Sequence, residues 1–232
     1  MEHTFKFKNF SLRQDRCAMK VGTDGVLLGA WARGGSRVLD IGTGTGVIAM
    51  MLAQRFPNAS IDGIDIDMAA ARQARDNVES SKFAHQIKIY HSSFQDYVPT
   101  TSYDAIVSNP PFFIDSLKNN DTKRMLARHA EVAFFKSLFR FSKQWLSICG
   151  EISLVVPKIC SEQIETEAYL LGFMLSRKIY VSFTSDKKAE RVLLSFVQKR
   201  SLGVEDKEVY LFEKDGRRSF WFNEMTQDFY LQ

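Results

Sequence analysis

The segment that most constrains this chain is Val38-Leu39-Asp40-Ile41-Gly42-Thr43-Gly44-Thr45-Gly46. An apolar run ends on three glycines at alternate positions, and a helical pattern follows from Val47. Glycine is required where the backbone must take positive φ or lie directly against a ligand, because a Cβ would collide there. A strand that turns on glycines into a helix is the opening unit of an open α/β sheet. Such sheets place their ligands at the carboxyl ends of the strands.

The rest of the chain repeats that alternation, as a parallel sheet with crossover helices does. Strands are expected at Arg37–Ile41, Ser60–Asp65, Ile87–His91, Tyr103–Ser108 and Gly150–Val156, the last stopped by Pro157. Helices are expected at Val47–Phe56, Met68–Ser80, Glu131–Ser147 and Ser161–Leu171, with Ser161 as N-cap of the last. Phe173–Phe183 and Arg191–Lys199, joined by the short polar link Thr184–Glu190, read as a hairpin, so the last strand should run antiparallel to its neighbours. Ahead of residue 35 lies an arm: alternating Phe5–Phe10, a short strand near Leu12–Gln14, and a helix from Asp24 to about Trp31. After Ser201 only Val209–Phe212 reads as a short strand. No linker divides the chain, so residues 1–232 are expected to form one domain, with the arm at 1–35 capping its site.

Asp65 stands at the end of the second strand, 19 residues beyond Gly46. That separation suits a carboxylate accepting hydrogen bonds from a ribose. Two details favour S-adenosylmethionine over a dinucleotide. Asp40 lies inside the strand, where a carboxylate can meet the cationic methionine end of the ligand. The spacing is Gly-x-Gly-x-Gly rather than the Gly-x-Gly-x-x-Gly that seats a pyrophosphate on a helix N-terminus. A dinucleotide site and a tight turn without ligand are the alternatives.

The fourth strand runs into Asn109-Pro110-Pro111-Phe112. An exocyclic amine on a purine is a poor nucleophile, because its lone pair is delocalised into the ring. Acceptors that hold its two N–H bonds favour a pyramidal nitrogen and stabilise the charge that develops during methyl transfer. The Asn109 side-chain oxygen and the Pro110 carbonyl are the candidate acceptors. The prolines fix φ and remove N–H groups, which stiffens the corner and leaves carbonyls, Pro111 included, facing the substrate. Phe112 is placed to stack on a flat base, at about 1–3 kcal/mol. No general base is needed before transfer. Asn-Pro-Pro is also a common strand-ending turn, and it gains meaning from standing behind the glycine loop.

Composition narrows the setting. The longest apolar stretches, such as Val47–Ala53, fall far short of the ~18 residues of a membrane span. The first eight residues alternate apolar and polar without the core of a signal peptide, so a cytoplasmic protein is expected. Cys17, Cys149 and Cys160 are odd in number and widely spaced, which fits a reducing compartment and argues against a disulfide frame or a cysteine zinc site. His3, His85, His91 and His129 are scattered, so no metal is expected. The net charge of +4 is unevenly spread: residues 115–145 carry seven Lys/Arg against three Asp/Glu, and residues 176–200 carry seven against two. The first 35 residues carry six against three, which leaves −8 for the remainder. Segregated positive charge suits a polyanion such as RNA, and equally suits solvated loops and helices. Lys118, Lys123, Arg124 and Arg128 follow the Asn-Pro-Pro-Phe corner at once, and Lys187, Lys188 and Arg191 lie in or beside the final hairpin. These are the candidate phosphate contacts.

These residues resemble the class I S-adenosylmethionine methyltransferases that modify exocyclic amines, which implies a Rossmann-like fold. That fold has a mainly parallel seven-stranded sheet with an antiparallel last strand and helices on both faces. The whole chain, arm included, resembles the bacterial family that methylates N6 of the adenosine just 3′ of the anticodon in a valine tRNA. The arm carries the likeness: Phe10-Ser11-Leu12-Arg13-Gln14-Asp15-Arg16, then Met19-Lys20-Val21-Gly22-Thr23-Asp24-Gly25 onward to Trp31. The resemblance implies that Lys20, Thr23 and Asp24 cap the methionine end of the cofactor, and that Asp40, Gly42 and Gly44 line it, with Asn109 close by. It further implies that Asp65 takes the ribose and that Ile66 packs on the cofactor adenine. Ser93-Phe94 stands where such enzymes often have an Asp-Phe pair that reads the adenine, and the serine is a departure. Phe112 replaces a frequent tyrosine.

Other readings remain open. Asn-Pro-Pro-Phe also occurs in guanine-N2 rRNA methyltransferases, and protein glutamine methylation uses the same kind of corner. A cofactor-binding RNA module without catalysis would be expected to show a degraded corner, which this is not. Lys20 and Asp24 also fit a surface ion pair at a helix start, with Asp24 as N-cap, and Cys17 fits a small buried apolar residue. Oligomeric state is not encoded legibly, and a monomer is the working expectation.

Overall fold

The computed structural model describes residues 4–17, 19–111, 121–199 and 203–231, with backbone alone at 121–129 and 131. The central strands fall where the apolar runs placed them: β3 (Arg37–Ile41), β4 (Ser60–Asp65), β5 (Ile87–His91) and β6 (Tyr103–Ser108). Between them lie α2 (Val47–Arg55) and α3 (Met68–Glu79). Ahead of them are β1 (Thr4–Lys6), β2 (Ser11–Arg13) and α1 (Thr23–Trp31). After them follow α4 (Asp121–Trp145), β7 (Leu146–Pro157), α5 (Lys158–Leu170), β8 (Met174–Thr184), β9 (Arg191–Val197), β10 (Glu205–Phe212) and α6 (Phe220–Thr226).

The main sheet has eight strands in the order β10-β8-β9-β7-β6-β3-β4-β5, one more than the seven expected. β9 runs antiparallel to both β7 and β8, as the hairpin pattern required. The eighth strand, β10, adds in parallel to β8 at the sheet edge. Its outer half, Glu205–Glu208, is acidic or basic throughout and mostly exposed, so it carries no alternating apolar signal. Edge strands are commonly charged in this way, which discourages further pairing.

Several boundaries shift for physical reasons. Helix α4 begins ten residues before the expected Glu131, across a stretch too polar to show an apolar stripe. Strand β7 then starts directly at Leu146, ahead of Gly150, and its register on β6 shifts between Tyr103 and Ala105. Ser161 is not an N-cap. Pro157, whose φ is −59°, precedes the first turn of α5, and the Ser161 hydroxyl donates back to the Lys158 carbonyl at 2.9 Å. Asp24 is not an N-cap either: Gly22 holds that position without a side-chain hydrogen bond.

Two apolar layers flank the sheet. One joins α1, α2 and α3 with the aromatics of the arm and of α6, and includes Phe7, Phe10, Leu12 and Phe222. The other packs α4 and α5 through Phe135, Phe139 and Ile164. The arm is fastened by α3. The Asn77 amide accepts from Arg13 N–H at 2.8 Å and donates to the carbonyls of Arg13 and Thr45, both at 2.9 Å. Gln73 accepts from Arg16 N–H at 3.0 Å, and the Arg16 guanidinium pairs with Asp76 at 2.7 Å. These bonds hold the arm over the carboxyl ends of β3 and β4.

Candidate active site

The glycine loop takes the conformation its composition allows. Gly42, Gly44 and Gly46 have φ of 71°, 57° and 85°, a left-handed region that costs other residues about 1–2 kcal/mol each. The loop is tied across to β4, with the N–H groups of Gly42 and Thr43 donating to the Ile64 carbonyl at 2.8 and 3.0 Å. Asp65 completes the junction. One carboxylate oxygen accepts from Gly44 N–H at 2.8 Å and the other from Asp67 N–H at 2.9 Å. On the far side, Ser108 at the end of β6 donates its hydroxyl to the Ile41 carbonyl at 2.9 Å. This bond adds to the β3–β6 ladder, in which Ile41 pairs with Ser108, and ties the loop to the Asn-Pro-Pro corner.

Between them opens a cavity of about 460 Å³, the size of ordinary cofactor sites. Gly42, Gly44, Asp65, Ile66, Ser93, Phe94, Asn109, Pro110 and Pro111 all line it. A Cβ added at Gly42 would meet nothing within 4 Å, and at Gly44 only the Gly42 carbonyl at 3.9 Å. The space above the loop is thus open to a ligand rather than filled by protein. Ile66 is 74% exposed although it belongs to the wall, an apolar surface suited to the face of a flat ring. Phe94 is buried in the floor, edge-on to Phe134 at 5.4 Å and to Phe141 at 5.8 Å. An apolar slot beside a carboxylate with free lone pairs fits the adenosine half of S-adenosylmethionine.

Asp40 is placed differently from the expectation that it meets the ligand. It is fully buried, outside the cavity wall, and accepts the Thr43 hydroxyl at 2.7 Å. Its other oxygen has no hydrogen-bond partner among the described residues. Burial pushes its pKa up to about 7, against the opposing hydrogen bond from Thr43. Asp40 braces the loop from behind.

Lys20, Thr23 and Asp24 are also away from the wall. Lys20 and Thr23 are exposed, and Asp24 pairs with Arg191 at 2.8 Å. The helix that begins with Thr23 and Asp24 nonetheless reaches the corner, since a Cβ at Gly25 would lie 3.9 Å from the Asn109 amide nitrogen. Ser93 is occupied: its hydroxyl donates to Asp96 at 2.7 Å and receives the Asp96 N–H at 3.2 Å, closing a turn. Cys17 is half-buried and lines the cavity, which corrects its reading as a buried apolar residue. Burial and the nearby Asp65, Asp67 and Asp15 raise its thiol to about 11, so it stays protonated. Met19, Ser92, Gln95 and Phe134 also line the site and were missed. They come from the arm, the end of β5 and α4, and no local pattern marks them.

Lys187 and Lys188 are exposed on the β8–β9 hairpin. Phe112 and Lys118 lie outside the described residues, as do the side chains of Lys123, Arg124 and Arg128 on the first turns of α4. No helix among the described residues is long and apolar enough to cross a membrane. Among the same residues, no group of three or more His, Cys, Asp or Glu could hold a metal.

The family described as "Methyltransferase small domain" matches residues 21–163. A protein of Parabacteroides distasonis is 44% identical over 232 residues, covering 98% of each chain, and is named tRNA1(Val) (adenine(37)-N6)-methyltransferase. A protein of the same name from Dyadobacter fermentans is 38% identical over 233 residues, covering 98% of this chain and 97% of its own. Among solved structures, protein Atu636 of Agrobacterium tumefaciens, described as a predicted O-methyltransferase, superposes with a TM-score of 0.69 at 15% identity. It covers 89% of this chain and 96% of its own. A methyltransferase from Pyrococcus furiosus does so at 0.55 and 22% identity, covering 75% and 81%. These structural likenesses speak to the fold alone.

Proposed function

Because the chain belongs to the methyltransferase small-domain family and to its full-length tRNA1(Val) (adenine(37)-N6)-methyltransferase group, we propose that it methylates N6 of an adenosine in tRNA. The donor is S-adenosylmethionine, the target is the adenosine just 3′ of the anticodon in a valine tRNA, and the setting is the cytoplasm. The observation that carries the proposal is the Asn109 side chain at the rim of the cavity, stapled to the cofactor loop through Ser108 and Ile41. Identity extending over the arm as well as the loop supports the base and the RNA class.

When bound, S-adenosylmethionine supplies an electrophilic methyl group on a sulfonium. The chain's own groups account for binding and orientation. Asp65, already fixed by two backbone N–H groups, keeps lone pairs for ribose hydroxyls, and Ile66 and Phe94 enclose the adenine. Ser92 and Gln95 line the same part of the site and would lie beside it. The loop glycines bring backbone rather than side chain to the ligand. The arm contributes Cys17 and Met19 to the wall against which the cofactor would lie. Residues 1–232 in this reading work as one unit, because the arm is bonded to α3 at Asn77, Gln73 and Asp76.

At the corner, the Asn109 oxygen and the Pro110 carbonyl accept the two N–H bonds of the target amine. They direct its lone pair toward the methyl group and stabilise the positive charge that grows on nitrogen. The surplus proton passes to solvent after transfer, when the amine is strongly acidic, so no protein base is needed. Phe112 stacks on the target base, and Lys123, Arg124, Arg128, Lys187 and Lys188 contact phosphates. A base in a folded RNA must be splayed outward to reach Asn109, at a cost of a few kcal/mol offset by stacking.

Nucleoside mass spectrometry of tRNA from cells with and without the gene tests the proposal. Loss of N6-methyladenosine from one valine tRNA is expected. Loss of N2-methylguanosine from ribosomal RNA instead would transfer the assignment to the guanine class.

A further inference from the structure

The carboxyl ends of β6, β7, β8 and β10 lie on one rim, because β9 reverses direction between β7 and β8. Contacts run along that rim without a break from the catalytic corner. Asn109 adjoins Gly25 of α1, the preceding Asp24 pairs with Arg191 at the start of β9, and Arg191 stands beside Pro157 and Val181. The Lys187 N–H then donates to the Thr184 carbonyl at 3.1 Å and closes the hairpin.

Phe183 stands at the far end of this rim. It is the penultimate residue of β8 and is 62% exposed. A single exposed phenylalanine is unremarkable in itself. Its support is what sets this ring apart. It lies 5.0 Å from Phe212 at 41°, and Phe212 in turn lies 5.6 Å from the buried Phe222. The ring is thus held from behind on a strand end, with its outer surface in water. Around it Asp186 accepts the Thr184 hydroxyl and Glu213 the Tyr210 hydroxyl, both keeping their charge, and Asp215 pairs with Arg217. Lys187, Lys188 and Lys214 are exposed and in no ion pair among the described residues, with Asp186, Glu190 and Glu213 as the opposing charges. Lys187 and Lys214 both act electrostatically on Asp186, so both stand near it.

We infer that this rim is a second contact for the RNA, in which Phe183 stacks an unpaired base while Lys187, Lys188 and Lys214 hold the phosphates beside it. An ordered ring flanked by free cations is the arrangement by which proteins grip single-stranded nucleic acid. Three strand spacings of ~4.8 Å and four residues of ~3.3 Å separate Phe183 from the level of Asn109, about 20 Å in all. That is about six stacked nucleotide steps of ~3.4 Å. The platform therefore serves a base well beyond the neighbours of the target, and it selects RNAs that present two unpaired bases at that span. The inference rests on the tRNA reading and supplies what the corner alone lacks, a means of choosing one RNA among many that contain adenosine.

The test uses the full chain with bulk tRNA and S-adenosylmethionine. Phe183→Leu keeps an apolar side chain on Phe212 and loses the stacking face, whereas Phe183→Tyr keeps both. Phe183→Leu is expected to raise the KM for tRNA between about 5-fold and 100-fold. The kcat, the KM for S-adenosylmethionine and the melting temperature should stay at wild-type values, and Phe183→Tyr should match wild type throughout. Lys214→Glu should raise the same KM and flatten its dependence on the logarithm of salt concentration by about 0.7. A wild-type KM in Phe183→Leu, or an equal rise in Phe183→Tyr, would overturn the platform. Failure of the wild-type chain to methylate any tRNA would instead overturn the function on which it rests.

Discussion

Asp65→Asn probes the cofactor site at the point where geometry gives a magnitude. Both carboxylate oxygens receive backbone N–H groups, from Gly44 at 2.8 Å and Asp67 at 2.9 Å. Asparagine offers one acceptor oxygen and one NH2, so in either orientation one of those N–H groups faces another donor. A charged acceptor is worth about 1.5–3 kcal/mol, and a partly buried donor left without a partner costs about 1–3 kcal/mol. Gly44, held at φ of 57°, has little freedom to find another partner. The lost charged acceptor should weaken S-adenosylmethionine binding about 10-fold to 140-fold, at 1.4 kcal/mol per decade, while the unpaired donor costs the ligand-free fold. Titration calorimetry measures the affinity. Differential scanning calorimetry of the ligand-free protein should show a fall of a few degrees, near 2–4 °C per kcal/mol for a chain of this size. An Asp65→Asn variant that binds the cofactor within 2-fold of wild type would refute the reasoning.

Asn109→Ala should lower kcat by about 10²- to 10³-fold while cofactor affinity changes little, because it removes an acceptor needed only as charge develops; steady-state kinetics with separate cofactor titration checks this. Asn77→Ala removes three bonds that hold the arm and loop, so amide hydrogen exchange over residues 11–19 should accelerate and the protein should lose about 2–4 kcal/mol. Asp40, with its folded pKa raised to about 7, binds its proton more tightly folded than unfolded, so it costs stability progressively as pH rises from about 4 to 7. Denaturant titrations should therefore show Asp40→Asn gaining on wild type across that window and levelling off above it; a constant difference at every pH would show that Asp40 does not titrate there.

The central strands β3, β4 and β6 were legible to the residue because each is a short, mostly apolar run bounded by turn residues, as buried parallel strands must be, and the edge strand β5 through its alternation of apolar and polar residues. The outer half of β10, Glu205–Glu208, and the first turns of α4 were not, since their polar sequences leave no apolar period to read. In the site, the residues that came from local motifs, Gly42, Gly44, Asp65, Ile66, Phe94 and Asn109, all meet at one cavity. Cys17, Met19 and Gln95 join them only through the path of the arm and the turn after β5. The ion pair of Asp24 with Arg191 spans 167 residues, beyond any sequence spacing. Asp40 shows the opposite limit. It belongs to the same glycine motif, yet burial behind the loop assigns it to bracing rather than to contact.

The central claim is tested most directly by incubating the purified chain with unmodified valine tRNA and methyl-labelled S-adenosylmethionine, then digesting the RNA for mass spectrometry. The account predicts label in N6-methyladenosine from the fragment that carries the anticodon, with none when Asn109 is alanine. Label in N2-methylguanosine, or label in N6-methyladenosine that persists undiminished in Asn109→Ala, would contradict it.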